Sequence, residues 1–364
     1  MCRGGNVTGN VAESVSGRVG RRIQVTIKDI AKLCGVSVST VSRVINDRPD
    51  VSPEVRAAVL EAVRSSNYVP NNSARVLGSS SSDAIGLVVR GLANPFYSPI
   101  IKVIGNRIDA AGYTMVMQQI SSTEDEIQCG AIMEREKKLR GIVFLGGRSD
   151  YSEEELGTIT VPFVCCSYDN SFGSLPCGRL SAVSIDDCAT AYRAVSELIA
   201  LGHRRIAALV AATDDRSISE LRYRGYLSAL RDHGIEPDGD LVACTGSFGM
   251  DEAYIATRAL ASGGADFTAM FIIADAMAIA AIKALEDAGR DVPRDCSVIA
   301  VDGLLLSQYT RPTLTTMCQP SEQMGEESVR ILLDMIERRT GNRSMVLEST
   351  LRAGASVAPA SARK

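Results

Sequence analysis

One run near the amino terminus, Thr26–Asn46, limits the fold of this chain more than any other stretch. Its apolar residues first recur every third or fourth position, which is the spacing of one face of a helix. Thr26 and Asp29 form the pattern of a capping box at the start of that helix, and Gly35 supplies a typical helix end. Ser37 opens a second short helix. Two short helices joined by a glycine-containing turn predict a helix-turn-helix.

The second helix has two different faces. Val41 and Val44 lie on its inner face, and its outer face carries small hydroxyls and one guanidinium, on Ser39, Thr40, Ser42 and Arg43. Such groups suit the phosphate oxygens and base edges of a DNA major groove. A three-helix module that binds protein is the alternative, because a motif match is only a hypothesis.

The run that starts at Thr26 resembles the headpiece of the LacI/GalR family of bacterial transcription regulators, on the residues Thr-Ile-Lys-Asp-Ile-Ala-Lys-x-x-Gly-Val-Ser-x-Ser-Thr-Val-Ser-Arg-Val-Ile-Asn. The resemblance implies a sequence-specific DNA-binding protein. The DNA contacts that it implies are Thr26, Ser37, Val38, Ser39, Thr40, Ser42, Arg43, Asn46, Tyr68 and Asn71.

Charge is divided unevenly along the chain. Residues 1–78 hold 11 Lys and Arg against 6 Asp and Glu, whereas the remaining residues hold 28 against 37. A basic amino-terminal part on an acidic body indicates that a polyanion binds at the amino-terminal end.

A short segment, residues 71–78, precedes a serine run that predicts a linker. Eight residues are too few to hold a helix in isolation. The segment resembles the family's hinge, which becomes helical on operator DNA and inserts a leucine into the minor groove, and the matching residues are Ala74, Arg75 and Leu77. Such an apolar wedge unstacks a base step and bends the duplex. Asn72 and Ser73 depart from the pattern, and a plain flexible tether is the alternative.

The other boundaries follow from helix signals and composition. Ser52 and Pro53 mark the start of a third helix that closes a small core over the first two. The first 22 residues lack periodicity and predict a disordered arm. The predicted domains are a disordered arm (1–22), a helix-turn-helix DNA-binding domain (23–70), a hinge and linker (71–82), a two-lobed effector-binding and dimerisation domain (83–354) and a flexible tail (355–364).

From Ala84 onward, apolar strands alternate with helices over short loops, which predicts parallel sheets covered on both faces. Two such units in tandem resemble the periplasmic-binding-protein type I architecture, the effector core of the same family. We expect the second unit to begin with the strand Ala182–Ile185 and the chain to cross back near Leu304–Leu314. By resemblance, Leu314–Pro320 and the helix from Glu322 return to the first lobe, and Met345–Leu351 belongs to the second.

In open α/β sheets, ligands bind outside the carboxyl ends of the strands, so two facing lobes predict a ligand cleft between them. Phe96 and Tyr97 follow the first strand and offer aromatic platforms, although they can equally cap a lobe. By resemblance, Asp275 accepts a ligand hydroxyl and Arg222 contacts the ligand; a helix cap and a surface ion pair are the alternatives. The other predicted effector contacts are Ser167, Tyr168 and Phe248. Ser167 and Ala274 depart from residues common in relatives.

Several other classes of protein fit poorly. No apolar run is long enough for a membrane span, and the first residues lack the apolar region of a secretory signal, so we expect a cytoplasmic, nucleoid-associated protein. Ten scattered cysteines without metal-ligand spacing predict reduced thiols and no metal site. Two histidines, without a nucleophile elbow or a cofactor-binding glycine motif, predict neither an enzyme nor a cofactor. A solute-binding sensory module has no use for residues 26–78.

We therefore predict a helix-turn-helix headpiece and hinge followed by a two-lobed α/β effector domain. One helix-turn-helix reads few base pairs, so a homodimer on a pseudo-palindromic operator is expected, with the helix Ile100–Ala111 at the interface. The resemblance favours a repressor of carbohydrate-utilisation genes with a sugar effector. A purine or a phosphoprotein corepressor is the alternative, and the direction of the response stays open.

Overall fold

The structure, a computed structural model, describes residues 25–45, 48, 50–66, 82–91, 94–176 and 178–360. The chain divides into two units, Met1–Ser80 and Ser81–Lys364. The described residues of the first unit (25–66) are called the headpiece here, and those of the second (82–360) the body. The predicted amino-terminal arm and nearly all of the predicted hinge lie outside the described residues.

The headpiece contains three helices, α1 (Ile27–Leu33), α2 (Val38–Ile45) and α3 (Pro53–Ser65). The predicted start of α1 is present, because the Thr26 N–H and hydroxyl donate to the Asp29 carboxylate at 2.8 and 2.6 Å. Gly35, at φ +65°, lies in the turn between α1 and α2. The buried core consists of Ile30, Ala31, Val41, Val44 and Val59. Three short helices thus close over one small apolar cluster.

Strands and helices alternate through the body. Its strands are β1 (Ala84–Arg90), β2 (Thr114–Ile120), β3 (Gly141–Leu145), β4 (Phe163–Cys166), β5 (Ala182–Ile185), β6 (Ile206–Val210), β7 (Val242–Cys244), β8 (Ala269–Ile272), β9 (Ser297–Asp302), β10 (Thr315–Cys318), β11 (Ser344–Leu347) and β12 (Thr350–Arg352). Its helices are α4 (Tyr97–Ala110), α5 (Glu126–Lys137), α6 (Glu153–Leu156), α7 (Asp187–Ala200), α8 (Ile218–Asp232), α9 (Met250–Ser262), α10 (Asp275–Asp287) and α11 (Ser321–Arg338).

The strands form two six-stranded sheets, one in each lobe of the body. The first lobe has the order β11-β5-β4-β3-β1-β2, and all its neighbouring strands are parallel. The second lobe has the order β12-β10-β9-β8-β6-β7, and only the pair of β10 with β12 is antiparallel. Strands such as β3 and β8 are buried along their whole length, as expected where helices cover both faces of a parallel sheet.

The chain crosses between the lobes three times, after β5, after β10 and after β11. The predicted helix from Glu322 does pack on the first lobe, as α11. Three other predictions were wrong: Ala182–Ile185 lies in the first sheet, Leu314–Pro320 contains a strand of the second sheet, and Met345–Leu351 is divided between the two. The crossing is therefore not at Leu304–Leu314. Short apolar strands carry no mark of the sheet that they join, because only tertiary pairing selects their neighbours.

The predicted flexible tail starts too early. Ser356 is fully buried; its Oγ accepts the Thr315 N–H at 2.8 Å and donates to the Val298 carbonyl at 2.6 Å. The Ala360 N–H donates to the Leu201 carbonyl at 2.9 Å. Residues 355–360 are thus attached to the second lobe, although their sequence has no strand or helix periodicity. Residues 361–364 lie outside the described residues.

Candidate DNA-binding face and interlobe cleft

The two faces of α2 are as distinct as its sequence predicts. Val41 and Val44 are buried in the headpiece core, whereas Val38, Ser39 and Arg43 are exposed. Ser37 starts the helix, since its Oγ accepts the Thr40 N–H at 3.1 Å. Thr40 and Ser42 are half-buried at the margin of the exposed face, and Thr26 is exposed at the start of α1.

Arg43 is the cation of this face. Its guanidinium lies 3.4 Å from the Asp50 carboxylate, and its side chain is 59% exposed. An exposed ion pair of this kind is worth at most about 1 kcal/mol, so a phosphate oxygen can replace Asp50 at little cost. Predicted contacts that lie outside the described residues are Asn46, Tyr68, Asn71, Ala74, Arg75 and Leu77.

In the body, Phe96 and Tyr97 lie where the two lobes meet. Both are buried and share an apolar cluster with Ala276 and Leu304 of the second lobe. The Tyr97 hydroxyl lies over Gly146, where a Cβ would come within 2.5 Å of it. Burial raises the pKa of Tyr97, and the Asp302 carboxylate of the second lobe adds to the rise. The two predicted aromatic residues therefore contact the second lobe instead of capping only the first.

Arg222 is not a surface residue. Its Nε donates to Asp187 at 2.8 Å, and its Nη1 donates to the Ile273 carbonyl and lies 3.4 Å from Asp302. Gln319 donates to the same Asp302 oxygen at 2.7 Å. The three charged side chains are all buried. The Arg222 guanidinium is thus shared by two carboxylates. Asp187 lies at the first crossing between the lobes, and Asp302 lies at the end of β9.

This network leaves one acceptor open. Asp302 Oδ2 is buried without a hydrogen-bond partner, and Asp302 has a φ of +134°, a strained conformation for a residue other than glycine. Burial raises the pKa of Asp302 above its usual range, and the nearby Arg222 opposes the rise. A buried acceptor without a donor destabilises the folded protein. A ligand hydroxyl that donates to this acceptor removes the penalty and therefore binds more tightly.

Asp275 is held by hydrogen bonds within the second lobe. It is fully buried, its Oδ2 accepts from the Leu304 N–H and the Ser307 hydroxyl at 2.8 and 2.9 Å, and its Oδ1 accepts from Thr316 at 2.5 Å. Nor does it cap α10, whose N-cap is Ala274. Both carboxylate oxygens are already engaged in holding the loop between β9 and β10 against the second sheet.

Asp302 and Asp187 were missed by the sequence analysis. Asp302 ends β9 and Asp187 lies two residues after β5, so the rule that ligands bind outside the carboxyl ends of strands covers both of them, as it covers Asp275. The rule does not tell which of these carboxylates is free to bind a ligand, because that depends on which of them accepts hydrogen bonds from donors within the protein. Only the hydrogen bonds of the folded chain separate Asp302, with one open oxygen, from Asp275, with none.

The first lobe contributes Ser167 and Tyr168 at the end of β4. Ser167 has a φ of +68°, and its N–H donates to the Val183 carbonyl at 2.8 Å. The Tyr168 ring packs edge-on against Tyr151 and so close to Gly147 that a Cβ there would lie 2.4 Å away. Tyr168 is thus held inside the first lobe, with its hydroxyl buried and unpartnered. Phe248, before α9, packs half-buried against the second-lobe core.

A cavity of about 220 Å³ lies between the lobes. Its walls include Ser149, Tyr168 and Ser184 of the first lobe and Asp187, Ile218 and Leu221 of the second. Beside it the lobes touch directly, because Arg216 lies 3.6 Å from Asp150 and Arg224 stacks 4.6 Å over the ring of Phe172. The geometry is that of a ligand cleft whose two walls come from different sheets.

Comparison with known proteins agrees with both units. Residues 26–71 match the bacterial regulatory proteins of the lacI family, and residues 166–357 match the periplasmic binding protein-like domain. The transcriptional regulator MalR of Clostridium butyricum is 39% identical over 327 residues, which cover 89% of this chain and 97% of MalR. The chain belongs to the LacI family of bacterial transcriptional regulators. CelR of Thermobifida fusca is a further relative, 34% identical over 88% of this chain and 94% of its own.

Solved structures of LacI-family regulators have the same fold. The lac repressor dimer bound to operator and an anti-inducer has a TM-score of 0.75 and 25% identity, covering 92% of this chain and 99% of that one. A CelR–cellobiose complex has a TM-score of 0.67 and 31% identity, covering 91% and 99%. The predicted fold, a helix-turn-helix headpiece with a two-lobed effector domain, is thereby confirmed.

Among the residues that the structure describes, no cluster of three or more His, Cys, Asp or Glu side chains is arranged to hold a metal ion. Within the same residues, no helix is both long and apolar enough to span a membrane.

Proposed function

We propose that this LacI-family regulator is a repressor that binds a pseudo-palindromic operator as a homodimer and responds to a small sugar in the interlobe cleft. The observation that carries the proposal is the exposed face of α2, which presents hydroxyls and Arg43 while its valines are buried. Such a face suits a major groove, and two copies are needed to read a full site.

The sugar effector is supported by relatives and by the cleft. A related structure is a CelR–cellobiose complex, and a ribose operon repressor is 32% identical over 318 residues. The cleft offers buried acceptors and hydroxyls, the groups that bind a polyol. We propose Arg222, Asp302 and Tyr97 as effector-facing residues, and Asp275 as the residue that holds their support in place. We further propose that the chain acts by binding, without catalysis, in the cytoplasm near the nucleoid.

The test begins with selection of binding sites from random duplex DNA by the full chain. We expect an enriched pseudo-palindrome, as a two-fold dimer requires. Arg43→Ala should weaken binding to that site and lower the slope of log affinity against log salt by about 0.9 for each lost phosphate contact. Arg64→Ala, an exposed arginine in α3, is the matched control and should leave binding nearly unchanged.

Two results contradict the proposal. One is enrichment of no sequence, or only of sites without two-fold symmetry. The other is equal weakening by Arg43→Ala and Arg64→Ala, which would mean that total charge, rather than the face of α2, holds the DNA.

A further inference from the structure

We infer that the effector is an uncharged carbohydrate, and that the cleft rejects phosphorylated sugars and other anions. This inference rests on the proposed function, since it specifies the ligand of the same cleft. It is carried by the charges around the cavity, by the state of the neighbouring arginines and by the polar atoms that remain open.

The wall of the cavity is acidic. Among the described residues that line it are Asp169, Asp186 and Asp187, and none of those lining residues is Lys, Arg or His. A phosphate group brings a charge of about −1.5 to −2 at neutral pH. Asp186 is exposed, Asp169 is half-buried and Asp187 is buried. A phosphate placed beside these carboxylates meets like charge, and such juxtaposition costs several kcal/mol.

Arg222, the buried arginine beside the cavity, is already matched with acceptors inside the protein. Arg222 bonds Asp187 and the Ile273 carbonyl and lies beside Asp302. On the first-lobe side, Arg148 donates to Glu155 at 2.6 Å, while its Nε is buried without a hydrogen-bond partner. Phosphate recognition usually uses a guanidinium fork that is free to make two parallel bonds. To offer one, Arg222 would have to leave two buried carboxylates without their counter-ion, which is strongly unfavourable.

The polar atoms that remain open suit hydroxyls. Ser149 Oγ, which lines the cavity, and Asp302 Oδ2, beside Arg222, are both buried without a partner. A carboxylate oxygen only accepts a hydrogen bond, whereas a serine hydroxyl both donates and accepts. A sugar hydroxyl satisfies either atom, since it can donate to one and exchange bonds with the other. A phosphate group, mostly dianionic at neutral pH, can accept from Ser149 but offers almost no hydrogen to Asp302 Oδ2.

A purine is a poorer fit than a sugar. Stacking needs an open aromatic face, and the aromatic residue of the cavity wall, Tyr168, has its ring packed against Tyr151 and Gly147. Phe96 and Tyr97 are also buried in the apolar cluster between the lobes. Among the described residues that line the cavity, no ring is thus placed as a stacking platform.

The experiment measures binding to the full chain by calorimetry and by thermal shift. The probes are neutral sugars (glucose, ribose, trehalose, maltose and cellobiose), three matched esters (glucose 6-phosphate, ribose 5-phosphate and trehalose 6-phosphate), adenine and hypoxanthine. We expect at least one neutral sugar to raise the melting temperature by mass action. We expect every ester to bind at least about 100-fold more weakly than the tightest neutral sugar. The reason is that several kcal/mol of electrostatic repulsion weakens the binding free energy by that amount.

A pair of charge variants tests the cause. Asp169→Lys places a cation on the cavity wall and should reduce the discrimination between a neutral sugar and its ester at least about tenfold. Glu136→Lys makes the same change in net charge on the exposed C-terminal part of α5 and should leave the discrimination unchanged.

The inference is overturned if any ester or purine binds as tightly as the best neutral sugar, or if no neutral sugar binds. Equal effects of the two variants also overturn it, because net charge would then explain the selectivity. Failure of the proposed function is separate, since the selection of operator sites needs no ligand. A chain that binds an operator and a sugar ester but no neutral sugar loses only this inference.

Discussion

The headpiece and the body are stabilised in different ways. In the headpiece, the polar side chains bond close neighbours in sequence, as Thr26 does with Asp29 and Ser37 with Thr40. In the body, the buried polar groups bond across long stretches, as Arg222 does with Asp187 and Asp302. The difference teaches that the DNA-binding face is assembled locally, whereas the effector site exists only when distant segments have packed.

Size adds to the contrast. Five buried apolar residues form the core of the headpiece, while a single cluster of the second lobe contains more than thirty. A small unit buries a smaller fraction of its surface and is correspondingly less stable. Loss of one contact should therefore affect function sooner in the headpiece than in the body.

The largest effect is expected from Arg222→Ala. Removing the guanidinium leaves two buried carboxylates unpaired, which should cost the body about 3–5 kcal/mol of unfolding free energy. Urea unfolding followed by tyrosine fluorescence measures this loss, because nine of the ten tyrosines lie in the body. The control is Arg338→Ala, which removes an exposed arginine that is ion-paired with Asp334. This substitution should lower the free energy of unfolding by less than about 1 kcal/mol. Similar small losses for both would mean that the buried network contributes little.

Ile30→Ala should have the next largest effect, on the headpiece alone. The side chain is fully buried, and its truncation should cost about 2–5 kcal/mol. The whole headpiece is expected to be stable by roughly 2–6 kcal/mol at 0.05–0.15 kcal/mol per residue. DNA binding in a gel shift should then be lost while the tyrosine transition of the body stays unchanged. Leu33→Ala, at an exposed position, is the control; retained DNA binding by Ile30→Ala would show an unexpectedly stable headpiece.

Two helix-capping residues, one in the headpiece and one in the body, allow the effects of a similar local loss of stability to be compared. Ser52 accepts the Val55 N–H at the start of α3, and Asp125 accepts the Gln128 N–H at the start of α5. Ser52→Ala and Asp125→Ala should each cost about 1 kcal/mol. The first should measurably reduce DNA affinity at 37 °C, and the second should leave it unchanged. Equal effects on DNA affinity would remove the proposed difference in stability margin.

The smallest effect concerns pH. His203 is buried and bonds Thr268, Ser297 and the Ala358 carbonyl at 2.9–3.1 Å. Burial lowers its pKa below the usual 6.5, so the unfolded chain binds the proton at a higher pH than the folded one. The body should therefore lose stability as the pH falls from about 6.5 to the folded pKa, and no further below it.

Urea midpoints of the body at pH 7.5, 6.5 and 5.5 measure this dependence. His203→Gln should show a flatter dependence than the wild type over that window, because the buried proton site is gone. An unchanged slope would assign the acid sensitivity to carboxyl groups. The transition of the headpiece, which contains no histidine, provides the internal reference.

The sequence analysis succeeded where structure depends on near neighbours. Capping residues, a turn glycine and apolar spacing predicted α1 and α2, because helix formation is decided within a few residues. Alternating strands and helices likewise predicted the architecture of the body, which the related structures confirm. The sequence did not predict which sheet each strand joins, since β5 and β10 are both short strands whose neighbours are selected only by tertiary pairing.

By itself, then, the sequence determined the helix-turn-helix, the alternation of strands and helices, and the set of acidic and basic residues at strand ends. Tertiary structure decided which strands share a sheet and that residues 355–360 are attached to the second lobe. It also decided that both oxygens of Asp275 are hydrogen-bonded, whereas Asp302 keeps an open oxygen. The physical reason is the range of the interactions. Caps and periodicity act over a few residues, whereas sheet pairing and buried hydrogen bonds join residues brought together only by folding.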